Sequence, residues 1–263
     1  MDFPQRKFES DLFIIKNGIT YPLPVGWALS KATDVDFNNK LTDKAFAHGS
    51  TLTGDGKIKG KTIEIEFTLE GATEEEHDAA MNLAYEKFCQ SDYTLICGRL
   101  DRAFKVAAVS KVTGSYEKAF KQRRSKVKVA LLLTNPFRYA VTPTNIDKTF
   151  AGEQDEAVIT FYNPSSVDVP LIWAFAPPAG GTVPSISITH VESGQSFTLK
   201  DTLLTNPAVA VVNAETGTVR RDTGNSLNTF AGIFLHALPG SNTFKYTGAA
   251  CKVDITYTAR WFV

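Results

Sequence analysis

Strict alternation of apolar and polar side chains is the sequence feature that most constrains this fold. It is clearest at 62–69, where Ile63, Ile65, Phe67 and Leu69 are separated by threonine and glutamate. Successive side chains of a β-strand point to opposite faces, so the pattern predicts a strand with one buried and one solvated face. Similar alternation occurs at 12–15, 27–37, 104–112 and 126–133. The first half of the chain is therefore expected to be rich in β-strands.

Two glycine-containing segments, 53–56 and 113–115, have the composition of tight turns between these strands. The Gly-Asp-Gly sequence at 54–56 also resembles part of a calcium loop. It lacks the further acidic ligands and the closing glutamate that such a loop needs. We therefore interpret 53–56 as a hairpin turn.

One segment, from about Glu74 to Phe88, has helical periodicity. Thr73 is a suitable N-cap, and Glu76 follows three residues later, so both side chains can bind backbone amides of the first turn. His77 and Phe88, together with alanines between them, mark the face that is expected to pack on a sheet.

The character of the sequence changes after 135–139, because Pro136 and Pro143 do not suit a central strand. We place a domain boundary there and predict domains at 1–138 and 139–263. Short strands then recur about every ten residues, with turns between them and no helix, which is typical of an antiparallel sandwich or jelly roll. The predicted strands are 158–162, 169–175, 185–191, 196–199, 208–213, 218–220, 230–235, 242–246 and 252–261.

Charge and cysteine content limit the functional classes. The 263 residues carry 28 basic and 28 acidic side chains, so no global charge attracts nucleic acid or a membrane surface. The three cysteines cannot all pair and have no metal-ligand spacing, which indicates a reducing compartment. No apolar run has the length of a membrane span, and the first residues lack the pattern of a secretory signal. Synthesis in a cytoplasm is therefore expected.

No catalytic, metal or cofactor motif is recognisable, so we predict that the chain is not an enzyme and uses no cofactor. The four histidines are far apart and lack the neighbours of a metal site. Glu64 and Glu66 share one strand face, which is the arrangement of a glycosidase acid pair, but alternation places that face in solvent. A hydrolase with an unrecognised acid pair remains an alternative.

The segment 118–128 is the candidate interaction site, because it concentrates positive charge. Residues 99–128 contain 10 basic and 2 acidic side chains, whereas residues 1–98 contain 10 and 16. A basic tip between two strands is suited to gripping nucleic acid or an acidic neighbouring subunit, and the acidic remainder of the domain favours the second. A solvated hairpin remains equally open. The candidate contact residues are Lys118, Lys121, Arg123, Arg124 and Lys126.

Sugar binding by the second domain is a further alternative. Aromatic side chains at Tyr162, Trp173, Phe175 and Trp261 are of the kind that stack on sugar rings. Most of them lie inside alternating strands, so core packing is the stronger expectation for each.

The order of elements resembles a known family. The segment 234–246, FLHALPGSNTFKY, followed by 253–257, is similar to the F-x-L-x-PG-x-N hairpin and final strand of phage distal tail proteins. The strand-turn-strand at 211–219 and the pair formed by Asn163-Pro164 and 169–172 are also similar to that family. Asn163 is followed here by proline and serine, where many relatives have Asn-x-Gly.

This resemblance implies a β-rich, split-barrel-like first domain with one helix and a galectin-like second domain. It implies a homo-hexameric ring in the virion, at the tip of a long, non-contractile tail, made in the cytoplasm of a bacterial host. The ring would join the tail tube protein to a tail-associated fibre or lysin protein, with DNA passing through its hole without specific binding. Segment 114–128 would be the arm that holds the adjacent subunit. The tail-tube subunit itself and a glycan-binding protein are rival interpretations.

Overall fold

The computed structural model describes residues 12–24, 27–31, 37–44, 48, 50–116 and 122–262. The chain forms two compact units, one comprising residues 1–141 and 262–263 and the other residues 142–261. Both are built mainly from antiparallel strands, so the predicted mainly-β fold class is confirmed. Part of the predicted strand 27–37 lies outside the described residues.

The first unit contains eleven described strands and one helix. They are β1 Leu12–Lys16, β2 Ile19–Pro22, β3 Ala28–Lys31, β4 Phe37–Asp43, β5 Ser50–Ile58, β6 Lys61–Glu70, α1 Glu74–Phe88, β7 Tyr93–Cys97, β8 Arg102–Val106, β9 Ala108–Tyr116, β10 Arg124–Leu133 and β11 Arg138–Ala140. Strands β2, β1, β7, β8 and β11 lie side by side in that order. A second sheet has the order β3-β6-β10-β9, and β4 and β5 pair with each other.

The core of this unit follows directly from the alternation in β6. Ile63 and Ile65 are fully buried, and the facing residues of β10, such as Val129, are buried on the same side. Helix α1 covers that side with Ala84 and Phe88. Each fully buried large aliphatic or aromatic side chain contributes about 1.5–3 kcal/mol to stability, so the helix and the sheet stabilise each other.

Helix α1 begins as the sequence predicts, at Glu74 after the N-cap Thr73. The hydroxyl oxygen of Thr73 accepts a hydrogen bond from the backbone N–H of Glu76 (3.2 Å). The Glu76 carboxylate in turn accepts one from the backbone N–H of Ala72 (2.8 Å). One amide of the first helical turn and the amide of the residue before the cap are therefore satisfied.

Replacing Thr73 with alanine removes this cap, and we expect it to destabilise the first unit by about 1 kcal/mol. The control is Thr73→Ser, which keeps the hydroxyl oxygen and should retain most of the stability. Calorimetry of the full chain would measure both changes. Equal melting temperatures for the alanine variant and the unchanged chain would show that the cap contributes nothing.

The two predicted turns are not turns in the structure. Residues 113–115 lie inside β9, where Gly114 is opposite Val127 and beneath the methyl group of Met81 in α1. Residues 53–56 lie inside β5, where a side chain at Gly54 would collide with the carbonyl oxygen of Asn38. At Gly54 the close approach of Asn38 requires glycine, and this requirement produces the same composition as a turn.

The second unit contains fourteen described strands. They are β12 Thr144–Phe150, β13 Gln154–Asn163, β14 Val169–Pro170, β15 Ile172–Ala176, β16 Ser185–His190, β17 Ser196–Lys200, β18 Ala210–Asn213, β19 Thr218–Arg221, β20 Gly224–Asn225, β21 Phe230–Gly232, β22 His236–Ala237, β23 Gly240–Gly248, β24 Cys251–Tyr257 and β25 Arg260–Trp261. One sheet has the order β12-β24-β15-β18-β19-β20 and another the order β13-β23-β16-β17-β21.

Aromatic side chains from both of these sheets fill one core. Trp173 of β15 lies edge-on to Phe197 of β17 and Phe244 of β23, with ring centroids 6.1 and 5.2 Å apart. Phe150 of β12 stacks on Tyr246 of β23 at 4.5 Å. Since the two sheets contribute facing side chains to the same core, this unit is the predicted antiparallel sandwich.

A buried ion pair links β19 to the loop after β17. Asp201 is 3% exposed, and both of its carboxylate oxygens accept hydrogen bonds from Nη1 of Arg221 at 2.6 and 2.7 Å. One of these oxygens also accepts a bond from the backbone N–H of Leu203 (3.0 Å). The buried charge is therefore both paired and hydrogen-bonded, as it must be to avoid a large desolvation cost.

Candidate functional site

The predicted basic site maps to the β9–β10 hairpin of the first unit. Lys118 and Lys121 lie outside the described residues. Arg123 is exposed, and its Nη1 donates to the carbonyl oxygen of Ala72 (3.2 Å), just before α1. Its own carbonyl oxygen accepts from the backbone N–H of Gly71 (3.0 Å). The described base of the hairpin is therefore fixed to the body of the unit.

The other cations of the hairpin stand opposite the acids of β6. Arg124 is in register with Glu70, and Lys128 with Glu66, and the ion-pair distances are 3.8 and 3.1 Å. Lys126 is exposed and stands opposite a threonine, with no carboxylate within ion-pair distance among the described residues. Some of the complementary charge that the sequence analysis assigned to two subunits is thus paired within one chain.

This arrangement also accounts for the acid pair considered as a catalytic alternative. Glu64 and Glu66 lie on the solvent face of β6, as alternation predicts, and Glu66 is bound to Lys128. Neither lies in an apolar pocket of the kind that prepares a carboxyl group for acid catalysis. Exposed ion pairs across a sheet stabilise it by only a few tenths of a kcal/mol each, so the face is best described as a solvated charge ladder.

One polar cluster contains the residue types of a hydrolytic triad. Nδ1 of His190 lies 2.8 Å from the hydroxyl of Ser193, and Nε2 lies 3.1 Å from Oε2 of Glu192 and 3.1 Å from Oδ1 of Asn242. The ring is 1% exposed and stacks on Phe244 at 4.5 Å. Burial lowers the pKa of His190, and the nearby Glu192 carboxylate opposes that shift.

Hydrogen bonds within this cluster fasten two turns together. Glu192 also accepts from the backbone N–H of Thr243 (2.9 Å), and the Asn242 side chain both accepts from and donates to the backbone of Leu238 (2.7 and 2.8 Å). His190 is held between them, so a structural role accounts for every contact that it makes. These bonds hold the Pro-Gly-x-Asn hairpin on which the sequence resemblance rests.

Two further histidines lie in separate surroundings. His77 is a fully buried residue of α1, and its Nε2 lies 2.8 Å from the hydroxyl of Ser125 in β10. Burial lowers the pKa of His236, and the negative charge of Asp168 opposes this shift. Among the residues that the structure describes, no group of three or more metal-binding side chains comes together. No helix within the described ranges is long and apolar enough to cross a membrane.

The structure reveals a surface that the sequence analysis missed, the hairpin of β4 and β5, which we call the arm hairpin (37–43 and 50–58). Strands β4 and β5 pair closely with each other, and both make few contacts with the other described strands and with α1. Leu41 and Leu52 are directly opposite and are 67% and 66% exposed. An isolated two-stranded hairpin is marginally stable in water, so this one needs support from another surface.

Open sheet edges are the second feature of the first unit. Strands β3 and β9 end the four-stranded sheet on either side, and β2 ends the other sheet. β9 has nine residues, contains no proline and is mostly exposed. A long edge that no other described strand covers is able to pair with another chain.

A cavity of about 370 Å³ lies beside the open strand β2. We call it the seat; its lining residues are Lys16, Asn17, Ile19, Tyr21, Glu86, Lys87 and Gln90. Ile19 is 55% exposed, and the amino group of Lys87 lies 5.1 Å from the ring centroid of Tyr21. The seat therefore combines apolar walls with a charged rim.

The aromatic residues considered for sugar binding are mostly unavailable. Trp173 and Phe175 are fully buried in the sandwich core, as expected from their place in the alternation. The indole N–H of Trp261 donates to the carbonyl oxygen of Pro164 (2.7 Å). Tyr162 alone of the four has a largely exposed side chain, at 69%. A stacking platform of several rings is therefore not formed by these four residues.

Known proteins share both the sequence pattern of the second unit and the fold. A family model described as "Siphovirus-type tail component, C-terminal domain" matches residues 166–261. The crystal structure of SPP1 Dit (gp 19.1), described as a paradigm of the hub adsorption apparatus in phages that infect Gram-positive bacteria, shares the fold. The TM-score is 0.70 at 12% identity, over 95% of this chain and 98% of that one. A search of curated proteins finds no match.

Proposed function

We propose that this chain is a member of the Dit family of siphovirus-type tail components and forms a homo-hexameric ring that serves as the hub of the tail tip. The match of residues 166–261 to the tail-component domain carries the proposal. The fold that it shares with SPP1 Dit supports it over nearly the whole chain. The role is structural and belongs to the virion.

The first unit supplies a physical route to a ring. Its four-stranded sheet presents β9 at one edge and β3 at the other, and neither edge is paired with another described strand. Contact between two different surfaces of identical copies is heterologous, and it produces a closed ring when the rotation between copies closes. Joining one edge to the other in the next copy is such a contact.

The neighbours that we propose for this ring are the tail tube protein on one side and a tail-associated fibre or lysin protein on the other. DNA passes through the central hole without specific binding. The charge ladder of β6 and β10 supports this last point, because paired acids and bases leave little net positive charge to hold phosphates.

Electron microscopy of the purified full chain tests the ring. The expected result is closed rings with a central pore and a mass of six copies by light scattering. Long tubes would identify the chain as a tube subunit, and a monomer at micromolar concentration would refute the hub. A control with deoxyribonucleic acid added should show no change in ring mass.

The basic hairpin remains our proposal for one inter-subunit contact, through Arg123, Arg124 and Lys126 together with Lys118 and Lys121. Reversing Lys121, Arg123 and Arg124 to glutamate should dissociate the hexamer at low salt, because like charges then face the acidic neighbour. The matched control reverses three exposed cations of the second unit, Lys148, Lys200 and Arg220. Light scattering that finds intact hexamers in both triple variants would refute this contact.

A further inference from the structure

The polar cluster around His190 holds a serine hydroxyl against one nitrogen of the ring and a carboxylate against the other. Oγ of Ser193 lies 2.8 Å from Nδ1, and Oε2 of Glu192 lies 3.1 Å from Nε2. A nucleophile, a base within hydrogen-bond reach and a third group that orients the base are the parts of an activated serine. The position of the ring proton decides whether Ser193 is activated, because only an unprotonated Nδ1 can take the hydroxyl proton.

The contacts of Asn242 fix the ring proton on Nε2. The amide nitrogen of Asn242 donates to the carbonyl oxygens of Leu238 and Gly240 (2.8 and 2.9 Å). Its Oδ1 accepts from the backbone N–H of Leu238 (2.7 Å), so the Asn242 atom that lies 3.1 Å from Nε2 is an oxygen. Glu192 presents a second oxygen to the same nitrogen. Since both of these neighbours are acceptors, Nε2 carries the hydrogen.

The uncharged ring then has an unprotonated Nδ1 that faces Ser193. Burial lowers the pKa of His190, although the Glu192 carboxylate opposes this shift, so the imidazole is uncharged at neutral pH. An uncharged ring with its hydrogen on Nε2 accepts a hydrogen bond from the Ser193 hydroxyl at Nδ1. The backbone N–H of Gln195 donates to the same hydroxyl oxygen (3.3 Å) and stabilises negative charge that develops there. Both contacts favour transfer of the hydroxyl proton to the ring.

The cluster is accessible from the side of the serine. Ser193 lies in an exposed turn, whereas His190 is 1% exposed and its ring stacks on Phe244 at 4.5 Å. A small electrophile can therefore reach the hydroxyl oxygen, but water has little access to the base behind it. Release of a group bound to Ser193 needs an activated water in a second step, so that release is slow. The arrangement is that of a serine that reacts once, and not of a hydrolase that turns over.

We propose that Ser193 is an acylation site, at which the chain accepts one acyl group from an activated ester. Oγ of Ser193 attacks the carbonyl carbon of the ester, and its proton passes to Nδ1 of His190. The bond between that carbon and the oxygen of the leaving alcohol breaks, and this oxygen takes the proton from Nδ1. One ester is exchanged for another without any change of oxidation state. The inference does not depend on the proposed ring, because every residue involved lies in one chain.

Acetylation of the full chain by p-nitrophenyl acetate tests the proposal. Peptide mapping by mass spectrometry follows each serine separately. The control is Ser185, an exposed serine of the same strand as His190, whose hydroxyl has no hydrogen-bond partner among the described residues. At neutral pH Ser193 should be acetylated about 100-fold faster than Ser185, because a positioned general base contributes at least that factor. Equal rates at the two serines would overturn the proposal.

The pH dependence identifies the base. Ser193 should react faster as the pH rises through the pKa of His190, which lies below its ordinary value, and the rate should then level off. The rate at Ser185 should keep rising with pH, since only its alkoxide form reacts. Glu192 is the titratable group that faces the His190 ring within the described part of the chain, and the β23 side chains that contact the ring are uncharged. Parallel rates at Ser193 and Ser185 from about pH 5 to 9 would exclude His190 as the base.

Two variants complete the test. Ser193→Ala should remove the fast-reacting site and leave acetylation of Ser185 unchanged. His190→Gln provides an amide that can donate to Glu192 but no base for the hydroxyl proton, so Ser193 should then react as slowly as Ser185. A His190→Gln variant that melts at the temperature of the unsubstituted chain and still acquires acetyl at Ser193 rapidly would contradict the proposal. If that variant unfolds, the comparison of the two serines and the pH profile of the unsubstituted chain decide.

Discussion

Replacing Trp173 with alanine should destabilise the second unit by about 3–5 kcal/mol, the largest effect that we expect from a single substitution. Trp173 is fully buried, and its ring contacts Phe175 of its own sheet and aromatic side chains of the facing sheet. The vacated volume can close only if the two sheets shift towards each other and their other core side chains repack, so much of the cavity should remain. In calorimetry, the melting transition of this unit should fall by roughly 10 °C or more.

Two controls show whether lost core packing causes the effect. Trp173→Phe tests the indole N–H, and Tyr162→Ala tests the truncation of an exposed aromatic side chain. The indole N–H of Trp173 is buried with no hydrogen-bond partner among the described residues, so Trp173→Phe loses some volume but no hydrogen bond and should cost far less. Tyr162→Ala, at an exposed position, should change stability by less than about 0.5 kcal/mol. A Trp173→Ala variant as stable as Tyr162→Ala would contradict a core shared by the two sheets.

Replacing Arg221 with methionine should destabilise the same unit by about 3 kcal/mol. The change leaves the carboxylate of Asp201, which is 3% exposed, without the cation that binds both of its oxygens. Removing one partner of a buried pair is costly because the remaining charge stays desolvated. Urea unfolding of the full chain, fitted for the transition of this unit, measures the loss.

The double variant Arg221→Met with Asp201→Asn is the control for the unpaired charge. Asparagine keeps an oxygen that can accept from the backbone N–H of Leu203 but carries no charge. Part of the lost stability should therefore return. A double variant less stable than Arg221→Met alone would show that lost packing of the arginine, and not the unpaired charge, causes the effect.

Strong local patterns predicted the most regular elements. Helix α1 was predicted from its cap and periodicity, and it begins and ends at the predicted residues because Thr73 and Glu76 satisfy its first amides. Strands such as β6 and β10 were predicted because one face is buried and the other is solvated, so alternation is complete. The same reasoning correctly placed Trp173 and Phe175 in a core.

Exposed strands escaped the sequence analysis for the opposite reason. β12 was missed because none of its residues is buried, so its sequence has no apolar period. The arm hairpin was misread because Gly54, which allows close approach to Asn38, gives β5 the composition of a turn. Such exposed segments become strands because they hydrogen-bond to a neighbouring strand. The residue pattern within one strand does not reveal which strand that is.

The candidate site was only partly predictable. The sequence identified the concentration of basic residues at 118–128, but the antiparallel register that sets Arg124 opposite Glu70 is a property of the folded sheet. The seat was not predictable at all, since β2 and the end of α1 are separated by more than sixty residues in the chain. No local signal joins them.

The unequal burial of the three thiols has a practical consequence. Burial raises the pKa of Cys97, and raises that of Cys251 to about 11, so both are poor nucleophiles at neutral pH. Cys89 is exposed and immediately precedes Gln90, which lines the seat. A maleimide fluorophore should therefore attach at this single position without any engineering. The emission of this label, followed while subunits associate, would report whether the surface beside Cys89 becomes covered, without any change to the amino-acid sequence.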